Sequence, residues 1–204
     1  YFDQYSFTSL FARLGAAHIK DKIGWSQSTS EELITHISPI NTTSHNSIYS
    51  YISFSTPIRA LGIKISLTSH ENWNKGWSII NGEDNTQTNV IHSLGLRFDN
   101  RKKEKWDVSL GANASITDAK FSISSMNTVY YNTSLFMDIR FTPSEKWSFE
   151  TKASVVNYNS RSFDEAVSIP LITAGISYYF LRGESASVTL RGYDLLNRQL
   201  GFER

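Results

Sequence analysis

A strict alternation of apolar and polar residues is the feature that most constrains the fold of this chain. From Trp106 to Thr117 every second residue is apolar, and the residues between them are small or polar. A β-strand has a side-chain period of two, so such a run gives a sheet one apolar and one polar face. The pattern recurs in about nine segments separated by turn sequences, and no useful length of chain has helical periodicity. We predict an all-β fold in which neighbouring antiparallel hairpins form one large sheet.

The predicted turns differ in length at the two ends of the hairpins. Turns on one side are short and those on the other are mostly longer and polar, as in a membrane β-barrel with short periplasmic turns and long outer loops. The short turns are near residues 57–61, 100–105, 143–146 and 182–185, and the longer connections are near 29–32, 72–88, 117–128 and 157–167.

Aromatic residues are concentrated beside the short turns. They are Phe98, Trp106, Phe141, Trp147, Tyr178 and Phe180. Trp and Tyr favour the boundary between hydrocarbon and water, so these residues fit an interfacial girdle. Aromatics that pack the ends of a soluble core are the alternative. The polar face is rich in Ser, Thr, Asn, Gly and Tyr, which suits a water-filled barrel interior, and together with the turn asymmetry this favours the membrane.

Composition excludes several classes of protein. Charged residues make up 19% of the 204 residues and the net charge is +1, whereas a nucleic-acid surface is markedly basic. The chain has no cysteine, which excludes a disulfide scaffold, a zinc–thiolate site and a cysteine nucleophile. No apolar run approaches the roughly 18 residues of a transmembrane helix.

Four short motifs, in order along the chain, carry a resemblance to a known family. The run Asp194-Leu195-Leu196-Asn197 ends the predicted strand that follows the last short turn. It resembles the signature near the end of Bacteroidetes-type outer-membrane β-barrel proteins, relatives of the TonB-dependent receptors. The other three are Ser38-Pro39-Ile40-Asn41 on a strand, Ile80-Asn81-Gly82-Glu83 at a hairpin tip, and Val167-Ser168-Ile169-Pro170-Leu171 at the start of a strand.

The resemblance implies a barrel of about 22 strands that is closed by an N-terminal plug and imports scarce nutrients with energy from an inner-membrane complex. About nine strands cannot close such a barrel. We therefore expect residues 1–204 to be the C-terminal portion of one transmembrane up-and-down barrel domain, without the plug, the N-terminal strands and the last strand. The chain starts at Tyr1 and we expect residues upstream of it.

We assign no catalytic, cofactor-binding or metal-binding residues, and the ligand-binding residues remain unassigned. The histidines do not have the spacing of metal ligands, so solvated or interfacial positions are expected; His70 and His45 are expected in or near loops. Acidic pairs at predicted outer tips suit solvated positions better than a Ca²⁺ site. The histidines are His18, His36, His45, His70 and His92, and the acidic pairs are Glu31-Glu32, Glu83-Asp84 and Asp164-Glu165.

Charged residues on the polar face are expected to form ladders between strands, with a role in permeation as the alternative. They are Arg97, Asp138, Arg140, Glu150, Lys152 and Arg191. The basic turn of Arg101, Lys102, Lys103 and Lys105 is expected to be a solvated periplasmic turn.

The leading hypothesis is an outer-membrane transport or binding protein, not an enzyme, that captures a ligand with its outer loops and passes it through a plugged lumen. The alternatives are an outer-membrane scaffold that binds protein partners, and a soluble carbohydrate-binding β-protein. The expected partners are outer-membrane lipid and the rest of the barrel, with an inner-membrane energising complex, a surface lipoprotein or other outer-membrane subunits as further candidates and no nucleic acid.

Overall fold

The structure, a computed structural model, describes residues 1–3, 6–160, 166–180 and 185–198. These residues form a single open antiparallel sheet. Its ten strands follow one another in the sheet in chain order, which confirms the predicted all-β, up-and-down architecture. The described strands do not close into a barrel, because β1 and β10 lie at opposite edges. The strands are β1 (Phe2–Asp3), β2 (Thr8–Thr29), β3 (Thr35–Ile58), β4 (Ile63–Ile80), β5 (Glu83–Asn100), β6 (Trp106–Phe121), β7 (Thr128–Ser144), β8 (Trp147–Ser160), β9 (Val167–Phe180) and β10 (Ala186–Gly192).

The predicted short turns lie at one end of the sheet, which we call the proximal end. A 3-10 turn at Arg59–Leu61 joins β3 to β4 and ends at Gly62, whose left-handed φ of 65° glycine adopts without steric cost. Residues 101–105 and 145–146 join the next two strand pairs. The turn predicted at 182–185 lies almost wholly outside the described residues.

Two connections at the other end, the distal end, are shorter than predicted, whereas the β2–β3 connection, predicted near 29–32, spans residues 30–34. Residues 72–88 do not form a loop, because β4 and β5 pair as far as Ile80 and Glu83 and leave only Asn81 and Gly82 as a turn. Both turn residues have positive φ, 52° and 81°, as the Asn-Gly sequence favours. Likewise, β6 and β7 extend into the predicted 117–128 loop, and β8 reaches Ser160. The polar segments that suggested loops are mostly extensions of the strands.

The Asp194–Asn197 motif forms a turn after β10, which ends at Gly192, not at Asn197 as predicted. Asp194 and Asn197 have positive φ, and the Asn197 N–H donates to the Asp194 carbonyl at 2.8 Å. Asp and Asn tolerate this conformation better than other non-glycine residues, which explains their place in the motif. The Leu195 N–H still donates to the carbonyl of Ile172 in β9.

The distal part of the β2–β3 hairpin leaves the regular strand order. Ser26 and Gln27 of β2 pair in parallel with Ile79 and Ile80 of β4. The Asn81 N–H donates to the Gln27 carbonyl at 2.7 Å, which fastens the β4–β5 tip to β2. The hairpin therefore folds over the distal end of the sheet.

A single sheet provides almost no enclosed core. Ala119 is the only buried hydrophobic residue among the described residues, with 6% exposure, while many large hydrophobic side chains are exposed. No helix in this part of the chain is long and apolar enough to cross a membrane.

Candidate functional site

The strand registers bring the apolar residues of eight strands into one continuous row. Each residue in this row lies opposite the next one on the neighbouring strand, from β2 to β9, so the apolar band crosses almost the whole sheet. The row is Leu10, Phe54, Leu67, Leu96, Ala112, Leu135, Val155 and Pro170.

Large side chains of this band are exposed. Leu94 and Leu135 are 63% and 58% exposed, and Ile52, Leu67 and Leu110 are also exposed. A continuous apolar surface of this extent marks contact with a membrane or with another protein. The sheet therefore has one face that requires an apolar partner.

An aromatic row lies at the proximal edge of the apolar band. Its neighbouring ring centroids are 4.2–6.3 Å apart, so each ring contacts the next. Five of the six predicted aromatics thus meet in one row together with Phe149, whereas Phe98 lies outside it. The row consists of Trp106, Phe141, Phe149, Trp147, Tyr178 and Phe180.

A carboxylate–imidazole pair lies near the distal edge of the apolar band. Glu71 of β4 and His92 of β5 lie opposite each other on the apolar face, and the Glu71 carboxylate contacts His92 Nδ1. Their row continues into Ile116 and Tyr131. The next row on the same face still holds Ile48, Trp73 and Val90, and the face becomes polar one row further, at Lys75, Thr88 and Lys120. The apolar band is therefore bounded by aromatic rings on the proximal side, and the Glu71–His92 pair lies one row inside its distal edge.

The opposite face carries a charge cluster near the proximal end, as the sequence predicts. Arg97 Nε lies 2.9 Å from Asp99 Oδ1, and Ser109 Oγ donates to the same oxygen at 2.6 Å. Asp99 and Ser109 are both buried, so the charged group has partners in place of water.

A second part of the charge cluster joins three strands. Glu150 of β8 accepts from Arg140 of β7 at 2.7 Å and from Arg191 of β10 at 3.2 Å. Asp138 and Lys152, the remaining members of the predicted ladder, lie opposite each other in the register of β7 and β8. The six predicted residues therefore occupy one region of the polar face.

Glu150→Gln is expected to lower the free energy of unfolding by about 1 kcal/mol. The substitution leaves two guanidinium groups side by side without a shared anion, and the effect is modest because both arginines are substantially exposed. Urea unfolding of the full-length protein would measure it. Glu145→Gln, at an exposed position in the β7–β8 turn, is the control, and equal losses for the two variants would contradict the structural role of Glu150.

The other candidate residues lie apart. The predicted loop positions of His45 and His70 are wrong, since the two residues lie within β3 and β4. His18 Nδ1 is 2.6 Å from Asn46 Oδ1. Glu31-Glu32 and Glu83-Asp84 are exposed at distal tips, and Asp164-Glu165 lies outside the described residues. Within the described ranges, no three acidic, His or Cys residues are grouped to hold a metal ion.

The basic turn at 101–105 is exposed at the proximal end. Lys103 Nζ lies 2.6 Å from Asp107 Oδ1, so this lysine belongs to the edge of the charge cluster.

Sequence reasoning missed a cleft at the distal end, which we call the distal cleft. It has a volume of about 850 Å³ and lies between the folded-over β2–β3 hairpin and the extensions of β4 and β5. Its polar lining includes Gln27, His45, Asn74, Gln87 and Asn89. Alternation alone gave no signal for it, because the cleft depends on the contact between β2 and β4.

No protein-family model matches the chain, and no curated protein is significantly similar to it.

Proposed function

We propose that the chain is part of the wall of an outer-membrane β-barrel of the TonB-dependent receptor type. In this proposal it serves transport or binding and is not an enzyme. The apolar band faces lipid, the polar face lines the lumen, and the distal end captures a ligand that then passes a plug. The observation that supports it best is the exposed apolar band with an aromatic row along one edge.

The height of the band suits an outer membrane. The segment of β6 from Trp106 to Ile116 is about 34 Å long at the rise of an antiparallel strand. With the tilt of about 40° that barrel strands adopt, it spans about 26 Å, close to the apolar band of about 25 Å in such barrels. The Glu71–His92 pair then lies at the outer interface, where water reaches it.

The polar face suits a lumen wall. Arg140 and Arg191 pair with Glu150 across strands, and Arg97 pairs with Asp99 within β5, so these charged groups have partners of opposite charge on this face. Its other residues are mainly small hydroxyl and amide side chains, as in the interior of wide barrels.

In a membrane, the backbone groups at the two edges of the sheet need hydrogen-bond partners. Unpaired backbone groups in hydrocarbon cost several kcal/mol each, on the order given for buried polar groups. In the proposed barrel, further strands of the same domain pair with both edges of the sheet.

A scaffold function in the outer membrane is the second candidate. The extensions of β2 to β5 beyond the Glu71–His92 pair favour it, because they form a tall distal surface on which a surface lipoprotein or another outer-membrane subunit could dock. An upstream plug and a TonB-interaction segment in the gene support transport, and a gene without them supports the scaffold.

Membrane fractionation tests the location. The full-length protein is expected to sediment with outer membranes, to require detergent for extraction, and to migrate faster on a gel before boiling than after it. A known soluble periplasmic protein from the same cells is the control. Recovery as an aqueous monomer would mean that the apolar face packs into a core within the protein itself and that the proposal is wrong.

A further inference from the structure

Two turns at the proximal end of the sheet carry the same three residues. Glu104-Lys105-Trp106 lies where the β5–β6 turn meets β6, and Glu145-Lys146-Trp147 lies where the β7–β8 turn meets β8. We call them the Glu-Lys-Trp units. In both units the tryptophan is the first residue of its strand. Only β7 separates the two strands in the sheet, so the units lie about 10 Å apart at the usual spacing of neighbouring strands.

In the first unit, contacts with β7 hold both the lysine and the tryptophan. The Trp106 ring stacks on Phe141, with 4.2 Å between the ring centroids. The N–H of the next residue, Thr142, donates to the Lys105 carbonyl at 2.8 Å. The chain is therefore fixed at both residues.

The second unit repeats these contacts with β9. The ring centroids of Trp147 and Tyr178 are 4.7 Å apart. The N–H of the next residue, Tyr179, donates to the Lys146 carbonyl at 2.8 Å. The turns themselves differ in length, since residues 101–105 form one and residues 145–146 the other. Pairing with the following strand, and not the length of the turn, therefore sets the common geometry.

The polar side-chain groups of both units have no partners among the residues that the structure describes. Neither lysine ammonium and neither glutamate carboxylate takes part in an ion pair or a side-chain hydrogen bond there, and the same holds for the two indole N–H groups. Lys103 differs, because its ammonium lies 2.6 Å from Asp107 Oδ1. All six residues of the units are exposed, the tryptophans by 50% and 40%. Their polar groups are therefore accessible to a ligand from outside the protein.

The units lie at the border between the apolar band and water. Both tryptophans belong to the aromatic row at the proximal edge of the band. In the proposed barrel this edge lies at the lipid headgroups of the periplasmic leaflet, where an indole is favoured. A lysine beside it can lay its four-carbon stem along apolar surface and keep its ammonium among the headgroups.

Each unit combines a cation, an anion and an indole donor within three residues. A lysine ammonium binds phosphate, a carboxylate accepts hydrogen bonds from a primary ammonium, and an indole N–H can donate to an ester carbonyl. Phosphatidylethanolamine has all three matching groups, above two acyl chains. Phosphatidylcholine has the same phosphate, but its quaternary ammonium has no N–H to donate, and phosphatidylglycerol has no cation.

We propose that each Glu-Lys-Trp unit binds the headgroup of one phosphatidylethanolamine molecule. The lysine binds the phosphate and the glutamate accepts hydrogen bonds from the ethanolamine ammonium. The indole N–H donates to an ester carbonyl, and the acyl chains lie along the apolar band. The inference rests on the proposed function, because it requires lipid beside the aromatic row.

Lipid titration followed by native mass spectrometry of the full-length protein in detergent tests the proposal. The lipids are phosphatidylethanolamine, phosphatidylcholine and phosphatidylglycerol with identical acyl chains. Phosphatidylethanolamine is expected to bind at least about threefold more tightly than phosphatidylcholine, the order expected for an exposed charge pair.

Two double variants separate the roles of the charged residues. Lys105→Gln with Lys146→Gln is expected to weaken the binding of phosphatidylethanolamine and phosphatidylcholine alike, at least about fivefold, because both lipids lose the partner of their phosphate. Glu104→Gln with Glu145→Gln is expected to remove the preference for phosphatidylethanolamine without weakening the binding of phosphatidylcholine.

Arg101→Gln with Lys102→Gln is the matched control, since it removes two positive charges from the same proximal end but outside the units. Its lipid affinities are expected to stay within about twofold of those of the unchanged protein. Losses equal to those of the lysine variant would show attraction to positive charge alone and would overturn the proposal. Equal binding of phosphatidylethanolamine and phosphatidylcholine, or tighter binding of phosphatidylglycerol than of both, would overturn it as well.

Heat-modifiable migration, measured on the same preparations, distinguishes this proposal from the proposed function. A protein that migrates as a barrel but binds phosphatidylethanolamine and phosphatidylcholine alike contradicts the headgroup sites alone. A protein that is recovered in the aqueous fraction without detergent contradicts the proposed function, and the headgroup sites with it.

Discussion

Leu135→Arg is expected to lower the free energy of unfolding in lipid by about 2–4 kcal/mol, the cost of a cation at the midplane of a barrel wall. Leu135 lies in the middle of the eight-strand apolar row, between Ala112 and Val155, and its side chain is exposed. In the proposed membrane this exposed side chain contacts hydrocarbon. Urea unfolding of the full-length protein folded into lipid vesicles measures the change.

Two control variants separate lipid from other causes. Ser134→Arg, at the next residue and on the polar face, is expected to change stability by no more than about 0.5 kcal/mol. Val188→Arg lies in the row of Trp147 and Tyr178 at the proximal edge, where the expected cost is about 0–1 kcal/mol. Equal losses of unfolding free energy in Leu135→Arg and Val188→Arg would contradict a lipid-facing band. A Leu135→Arg variant as stable as the unchanged protein would contradict it as well.

Gly111→Ala is expected to lower the free energy of unfolding by about 1–3 kcal/mol, as overpacking does in closely packed regions. Gly111 lies between Arg97 and Phe136 in the sheet, and the Phe136 ring covers it. An added Cβ would overlap Phe136 Cζ and would be 2.9 Å from the Leu96 carbonyl oxygen. The ring can rotate away, but the carbonyl belongs to a paired strand and cannot move freely.

Gly175→Ala is the matched control. Gly175 also lies between two residues that interact across it, Glu150 and Arg191, but the closest atom to an added Cβ is Arg191 Nε at 3.4 Å. We expect a neutral or slightly stabilising effect, because alanine restricts the unfolded chain more than glycine does. Thermal unfolding of both variants gives the comparison. Equal losses at the two positions would show that the Phe136 contact does not constrain Gly111.

The architecture could be predicted because the alternation within each strand shows which of its residues lie on the apolar face and which on the polar face. The alternation around Trp106 and the Asn81-Gly82 turn depend only on local geometry, and both predictions are confirmed. Strand lengths were underestimated because polar residues such as those of 72–88 have weak strand propensity of their own. In the structure these residues continue a ladder that the neighbouring strand has already begun, and pairing overrides local preference.

Surface features that depend on neighbouring strands could also be predicted, whereas those that depend on contacts between distant parts of the chain could not. The proximal charge cluster could be predicted in outline, since Arg140 and Glu150 follow directly from hairpin register across a short turn. The distal cleft could not, because it depends on the pairing of Gln27 with Ile80, which are far apart in the chain. The end of the last strand was predicted at Asn197 and lies at Gly192, because alternation does not reveal that Asp194 and Asn197 have positive φ.

The order of the strands in the sheet has a consequence for how such a wall can change size. Nearly every pairing joins strands that are consecutive in the chain, and the one register shift among the described long pairs lies between Phe141 and Ser144. The molecule is therefore quasi-one-dimensional, and each hairpin interacts mainly with the hairpins before and after it. Duplication or loss of one whole hairpin would leave the direction of all other strands unchanged. The proximal turns and the distal turns would then stay at their own ends of the sheet. The number of strands in such a sheet can therefore evolve in steps of two, while an insertion of a single strand would reverse the direction of every strand that follows it.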